Sequence, residues 1–261
     1  MPELPDLEVF RSNIPARLTS KRLTGVGVFK MNKVSAPQSI LLGELQGREL
    51  IGIGRYGKEL LFDFGEKKVI AAHLMLNGQI SVVRPEGAAA VKYKIFSLEF
   101  ENETLVFSDS GGLCTIKYKP AASRTPDAFG AGFTLDYFKK MAAKNPLVGI
   151  KAFLIDQSVV KGIGNAYADE ILYAARVSPR SRVSKMPEEA LAAVYDAIGP
   201  VLRDAVASIR AVCPDIISGE ERGFLKVHNK ALKTTAAGFP IIVDKVSDKI
   251  TYYTEEQVAY L

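Results

Sequence analysis

Tryptophan is absent from the 261-residue chain, and cysteine and histidine occur only twice each. Cys114 and Cys213 lie far apart in no pair motif. That argues against a disulfide framework or a cysteine zinc site and fits a reducing compartment. His73 and His228 would need carboxylates to complete a metal site, and no ligand spacing suggests one. No apolar run reaches the roughly 18 residues of a membrane span. The start has no basic patch followed by a long apolar stretch, so it does not read as a secretion signal. These absences predict a cytoplasmic protein with no membrane partner. What is present is globular in kind: 48% apolar and 24% charged residues, and length enough for two domains. The net charge of +5 and the pI near 9.0 favour a polyanionic partner, though only weakly on their own.

Periodicity divides the chain. Leu7, Phe10, Ile14 and Leu18 recur at helical spacing and predict a helix over 6–18, which Pro15 kinks or ends. From about 23 to 119 the segments KELLFDF, KVIAAHLML, GQISVVR, KIFSLEF and TLVFSDS read as strands separated by turns. Phe96, Leu98 and Phe100 alternate with Ser97 and Glu99, so one face is expected to be buried. This pattern predicts a β-sandwich. The Pro/Gly/Ala/Ser-rich stretch 119–133 reads as a linker. Helices follow, the last carrying Leu191, Val194, Ile198 and Leu202 on one apolar face. SGEERGF breaks them, and the tail reads as a hairpin turning at VSDK. The class is α+β. The expected domains are 1–120 (sandwich with a leading helix), 121–133 (linker), 134–218 (helical) and 219–261 (hairpin). No internal repeat is visible.

Two segments carry candidate chemistry. The chain opens MPELPDLE. This can be a loop leading into a helix. It can also be a reactive terminus: removal of Met1 before a small residue would free the Pro2 amine. An α-amino group titrates near pH 8, against about 10.4 for lysine, so roughly a tenth is free base at neutrality. Such an amine can attack an electrophilic carbon and form an iminium ion, with Glu3 beside it to move a proton. The second segment, Lys161-Gly162-Ile163-Gly164-Asn165, is a glycine turn running into a helix. A helix N-terminus suits a phosphate, Asn165 can cap it or donate to a phosphate oxygen, and Lys161 can add charge. An ordinary turn between packed helices is the other reading.

MPELPDLE, RYGKELL, HLMLNG and VVKGIGNAYADEILYAA, in this order and spacing, resemble the formamidopyrimidine-DNA glycosylase / endonuclease VIII family of base-excision repair enzymes. The resemblance covers essentially the whole chain. It implies an N-terminal β-sandwich, a helix–two-turn–helix domain and a β-hairpin finger, with damaged double-stranded DNA bound between the domains. By position, Pro2 resembles the nucleophile and Glu3 the proton shuttle. Asp6 stands where the family usually has Glu and is one methylene shorter. Lys58 matches a strand lysine that contacts phosphate beside the lesion, whereas by residue type alone it is a solvated strand end. Asn165 matches the phosphate-binding asparagine of the glycine turn. Glu170 matches a helix carboxylate behind the site, or by type alone a helix-surface charge.

Departures from the family pattern fall on the parts that choose the base. Leu76, with Met75 beside it, stands where the formamidopyrimidine branch has a gap-filling methionine, and resembles the endonuclease VIII branch. An arginine and a phenylalanine are expected in a loop that here reads Asp109-Ser110-Gly111-Gly112-Leu113-Cys114. The four zinc cysteines would fall near Thr234, Ala237, Thr254 and Gln257. The resemblance therefore implies a zincless finger with no cofactor, held by Phe239, Ile241, Tyr252 and Tyr253, with Lys249 in place of the finger arginine. Residues 222–250 hold six Lys/Arg against two Asp, a net +4 that suits phosphate or, equally, a solvated hairpin. SGEER is shorter than the family's lesion-capping loop. The expected function is a monomeric glycosylase and abasic-site lyase in the bacterial cytoplasm, acting near the nucleoid on an oxidised or ring-opened base. The alternatives are a DNA-binding protein of the same fold that has lost catalysis, and an RNA binder.

Overall fold

The computed structural model describes residues 1–261, and the chain divides into two compact units. The first holds residues 1–2, 6–122 and 212–220, and the second holds 3–5, 123–211 and 221–261. The units are thus interleaved in sequence, where the linear reading drew boundaries at 120, 133 and 218. Each is α+β in make-up.

At the start, α1 (Leu4–Asn13) is followed by a short α2 (Pro15–Leu18). The break falls at Pro15, whose missing N–H and fixed φ are tolerated in a first turn and not in a helix interior. Then come β1 (Leu23–Val28), α3 (Gln38–Leu45), β2 (Gly52–Tyr56), β3 (Glu59–Asp63), β4 (Val69–His73), β5 (Gly78–Val83), β6 (Lys94–Phe100), β7 (Thr104–Asp109) and β8 (Thr115–Tyr118). They form two antiparallel four-stranded sheets, ordered β1-β6-β7-β5 and β2-β3-β4-β8. Phe62 of one sheet meets Phe107 of the other edge-on at 5.6 Å. Leu60, Ile70, Phe96, Leu98 and Leu105 fill the space around them. Each such side chain contributes about 1.5–3 kcal/mol on burial, so this apolar interior holds the two sheets together. The alternation in β6 is incomplete: Ser97 is only 2% exposed. It pairs with Gly27, whose missing side chain leaves room for the Ser97 hydroxyl and the Phe29 ring.

Segment 212–220 belongs to this first unit for identifiable reasons. Ile216 and Ile217 pack on the sandwich core. The Asn13 amide donates to the carbonyls of Pro214 and Ile216, each at 2.8 Å. The Ile80 N–H donates to Ser218 Oγ at 3.0 Å.

The second unit contains α4 (Leu135–Lys144), α5 (Ile150–Ile155), α6 (Asn165–Ala174), α7 (Glu188–Val212, its last residue in the first unit) and the hairpin β9 (Ile242–Val246) with β10 (Lys249–Tyr253). Thr134 caps α4 by accepting the Tyr137 N–H at 3.2 Å. Phe138, Phe153, Val194, Ile198 and Leu202 build its core. The buried stripe of α7 begins at Ala190, while Leu191 is only half-buried beside it. No helix is long and apolar enough to cross a membrane. The 119–133 stretch has no helix or strand, yet its second half is not a loose tether. The Ala128 N–H donates to the Lys161 carbonyl at 3.0 Å, the Lys161 N–H donates to Pro126 at 2.9 Å, and Phe133 is buried. The hairpin turns at Ser247 and Asp248, both with positive φ (50° and 60°), which suits a two-residue turn between twisted strands.

Candidate functional site

The glycine turn receives the start of the chain. The Glu3 carboxylate accepts the N–H groups of Ala166 (3.0 Å) and Tyr167 (3.4 Å) at the open end of α6. A helix N-terminus presents unpaired N–H groups and a positive dipole end, which suit a carboxylate. Gly164 makes this possible, since a Cβ there would stand 2.3 Å from Glu3 Cδ. Gly162, at φ +107°, gives the same room to Leu4, whose N–H donates to the Gly162 carbonyl at 3.2 Å. Gln157 staples the turn: its Oε1 accepts the Gly162 N–H at 3.0 Å and its Nε2 donates to Ile155 and Ile163 at 2.9 and 2.8 Å. The two glycines of the turn therefore admit close approach by Glu3 and Leu4. Glu3 is 4% exposed, and its covalent neighbour Pro2 is buried.

Asn165 is the first residue of α6 rather than its cap, a place Gly164 takes. The Asn165 Nδ2 donates to the Ile250 carbonyl of the hairpin at 2.9 Å, and its Oδ1 is buried with no hydrogen-bond partner. Lys161 is half-buried and pairs through its backbone with 126–128. Lys249 is exposed at the hairpin turn, opposite Val246. Glu170 is not a surface charge. It is 5% exposed and accepts three backbone N–H groups, from Lys226 (3.0 Å), Val227 (2.8 Å) and His228 (2.8 Å). Its carboxylate faces segment 226–228 of the chain itself.

The hairpin is held by a buried polar network that sequence reading missed. Lys151 and Asp169, both with side chains 0% exposed, pair at 2.7 Å. Lys151 also donates to Thr251 Oγ1 at 2.7 Å and to the Ile250 carbonyl at 3.2 Å. The second Asp169 oxygen lies 2.7 Å from His228 Nδ1 and accepts the Tyr252 N–H at 3.0 Å. Burial pushes the Lys151 ammonium below the ordinary lysine range, against the opposing pull of Asp169. Of the four residues expected to hold the hairpin, Tyr253 is buried, Tyr252 packs its ring at a tilt against His228 with centroids 4.6 Å apart, Ile241 is half-buried and Phe239 is 44% exposed. Phe239 is therefore not a core residue. At the positions of the family's zinc cysteines the Thr254 N–H donates to Gln257 Oε1, and Gln257 Nε2 donates to the Val177 carbonyl, each at 2.9 Å. Thr234, Ala237, Thr254 and Gln257 do not fit a zinc ion, which takes thiolates and imidazoles. No group of three or more His, Cys, Asp or Glu is arranged to hold a metal.

In the first unit, Lys58 lies in the two-residue turn between β2 and β3 and is 9% exposed, rather than at a solvated strand end. Gly57, at φ +58°, forms the other half of that turn. Asp6 is fully buried on α1. Two residues on, the Glu8 carboxylate takes Arg11 Nε at 2.8 Å and Arg55 Nε at 2.9 Å, tying α1 to β2. Burial pushes the Glu8 acid up, and the two guanidiniums more than offset this and hold it below its ordinary value. Met75, at φ +56°, is half-buried and Leu76 is 60% exposed at the tip of the β4–β5 turn. The Asp109–Cys114 loop is closed on itself. Asp109, 1% exposed, accepts the N–H groups of Gly111 (2.8 Å), Leu113 (2.6 Å) and Cys114 (2.7 Å). Burial pushes the Asp109 acid up, and these donors outweigh it and hold it below the usual range. Burial and Asp109 push the Cys114 thiol up to about 12, so it is no thiolate nucleophile at neutral pH. Pro2, Asp6, Lys58, Met75 and Leu76 thus belong to the first unit, and Glu3, Lys161, Asn165, Glu170 and Lys249 to the second.

Comparison with known proteins gives a consistent result. Residues 1–116 match the formamidopyrimidine-DNA glycosylase N-terminal domain and residues 125–212 its H2TH domain. The formamidopyrimidine-DNA glycosylase of Pediococcus pentosaceus is 30% identical, over 97% of this chain and 97% of its own length. That of Geobacter sulfurreducens is 30% identical, over 97% and 98%. Among solved structures, the complex of the Lactococcus lactis Fpg with DNA containing an abasic site covers 97% of this chain and 98% of that one, at 22% identity with a TM-score of 0.84. MutM in complex with DNA containing carbocyclic 8-oxo-G gives the same coverage at 24% identity and a TM-score of 0.84. At such identity these two speak for the fold.

Proposed function

Because this chain belongs to the formamidopyrimidine-DNA glycosylase family, we propose that it is a bifunctional glycosylase and abasic-site lyase of base excision repair, with Pro2 of the Met1-processed chain as nucleophile. One observation carries the reading. A carboxylate is held at the end of α6, in room that Gly164 leaves, directly beside the residue whose amine would react. The Pro2 nitrogen gives its lone pair to C1′ as the C1′–base bond breaks, and that bonding pair leaves on the base, which takes a proton. The C1′–O4′ bond then opens with its pair on O4′, which takes a second proton, and the nitrogen lone pair forms the iminium. One proton is the amine's own, and Glu3 delivers the other. Loss of a C2′ proton from this iminium expels the 3′ phosphate, and a further elimination expels the 5′ phosphate. Asp6 supports the site from α1. Lys58, Asn165, Lys161 and Lys249 contact backbone phosphates, which makes binding salt-dependent.

The substrate we propose is damaged double-stranded DNA carrying an oxidised or ring-opened base, with specificity altered from 8-oxoguanine. The closed Asp109–Cys114 loop, with no arginine in it, supports the altered specificity. Exposed Leu76, beside Met75, enters the stack when the nucleotide is extruded. The finger works without metal, held by the Lys151–Asp169 network. Borohydride trapping tests the reading. The processed protein should form a covalent adduct with an abasic-site duplex, and Pro2→Gly should lose it. No adduct from protein shown by intact mass to lack Met1 would refute the lyase assignment. The same loop also favours a second reading, a damage-binding protein without catalysis. That protein would bind an abasic duplex and trap nothing.

A further inference from the structure

The Met1 ammonium is ion-paired with Glu220. Both lie in the first unit, so their pairing is a feature of one compact body. The segment bearing Glu220 is fixed there by Asn13, by the Ile80–Ser218 hydrogen bond and by the packing of half-buried Ile216 and Ile217 on the sandwich core. Glu220 is an exposed residue whose side chain is one-third exposed. Removal of Met1 makes Pro2, one residue along in the same unit, the bearer of the chain's terminal amine. Glu3 is bound to α6, Glu8 is taken by Arg11 and Arg55, Asp6 is fully buried on α1, and Lys58 is buried in the β2–β3 turn.

We infer that Glu220 is a second carboxylate of the reaction centre, one that positions the Pro2 amine and compensates the positive charge of the iminium formed on it. This rests on the nucleophile reading above. A carboxylate beside an amine has two opposed effects. It favours the ammonium, which cannot attack, and it stabilises the cationic adduct that follows. Replacing it by an isosteric neutral amide reverses both.

The test is single-turnover borohydride trapping on an abasic-site duplex from pH 5 to 9, using chains shown by intact mass to lack Met1. Glu220→Gln should shift the midpoint of the rising limb down by about half a unit or more, and lower the high-pH plateau by about 3–10-fold. Its deficit should therefore be fullest at high pH and shrink as pH falls through the two midpoints. Glu220→Asp, which keeps the charge, should restore most of the wild-type profile. A purely structural defect lowers the whole curve without moving its midpoint. Coincident wild-type and Glu220→Gln curves, or a Glu220→Gln curve lowered with its midpoint unmoved, would overturn the assignment and leave Pro2 as nucleophile. No adduct from the wild type would overturn both.

Discussion

Gly164→Ala isolates the contact on which the proposed chemistry depends. The backbone at Gly164 has φ −127° and ψ −162°, an extended conformation that alanine adopts without strain. The whole effect of the added methyl is therefore steric. It would lie 2.3 Å from Glu3 Cδ and 2.6 Å from each carboxylate oxygen. Ordinary contact is about 3.5 Å or more, so the overlap exceeds roughly 1 Å. Glu3 must move, and the Ala166 and Tyr167 N–H groups lose their acceptor. One charge-assisted bond of ordinary length and one long one are lost, which costs about 2 kcal/mol. A proton donor misplaced by about 1 Å costs on the order of 10²-fold in rate. Trapping on an abasic duplex and excision from a lesion-bearing one should both fall by that factor, and denaturant unfolding should read the stability change. Gly43→Ala is the control: it lies inside α3 with nothing within 4 Å of the added methyl. It should gain about 0.5–1 kcal/mol from helix propensity and leave the rate alone. A Gly164→Ala protein that traps at the wild-type rate would refute the placement of Glu3 as proton shuttle.

Three further outcomes follow from other parts of the molecule. Lys151→Met leaves the Asp169 carboxylate buried beside an apolar side chain, which should cost about 3–5 kcal/mol; hydrogen exchange should show the Thr251–Tyr252 strand opening first. Asp109→Ala should cost about 1–3 kcal/mol at pH 7 by orphaning the N–H groups of 111–114. The folded-state acid of Asp109 lies below its ordinary value of 3.8, so the wild type's advantage is fully present above that value and is lost as pH falls through the folded-state one; urea titrations at pH 7 and near pH 2.5 check the sign. Lys249→Ala should weaken duplex binding alike for all sequences and reduce the slope of log K against log salt by about 1, which fluorescence anisotropy at several salt concentrations measures.

The sandwich strands and the hairpin were legible because their signals are local. Short β-branched and aromatic runs ended by turn residues locate β3 to β7, and VSDK supplies two residues able to adopt positive φ. What was illegible depends on residues far apart in the chain. Lys151 in GIKAFLI reads as a helix-surface lysine, and only the fold brings Asp169 and Thr251 to it. Glu170 reads as a surface charge because the three N–H groups it accepts come from a segment 56–58 residues later. Segment 212–220 looks like the end of the helical domain, since its ties to Asn13 and Ile80 carry no mark in the sequence.

The glycine turn shows a local signal that is physically sound and that the chain itself answers. A helix N-terminus behind two glycines does suit an anion, and α6 has one: the Glu3 carboxylate, bound by the Ala166 and Tyr167 N–H groups. With that end occupied, a DNA phosphate at this turn would have to displace a buried carboxylate from two N–H donors. On the proposed reading, phosphate contact falls to side chains. The Asn165 amide has a second N–H beyond the one given to Ile250, and Lys161 brings a charge on the same turn. The two readings separate experimentally. Asn165→Ala should weaken DNA binding while leaving Glu3 in place. Gly164→Ala should impair the chemistry far more than the binding. If both variants lost affinity equally, the helix end itself would be the phosphate site, and Glu3 would have to leave it when DNA binds.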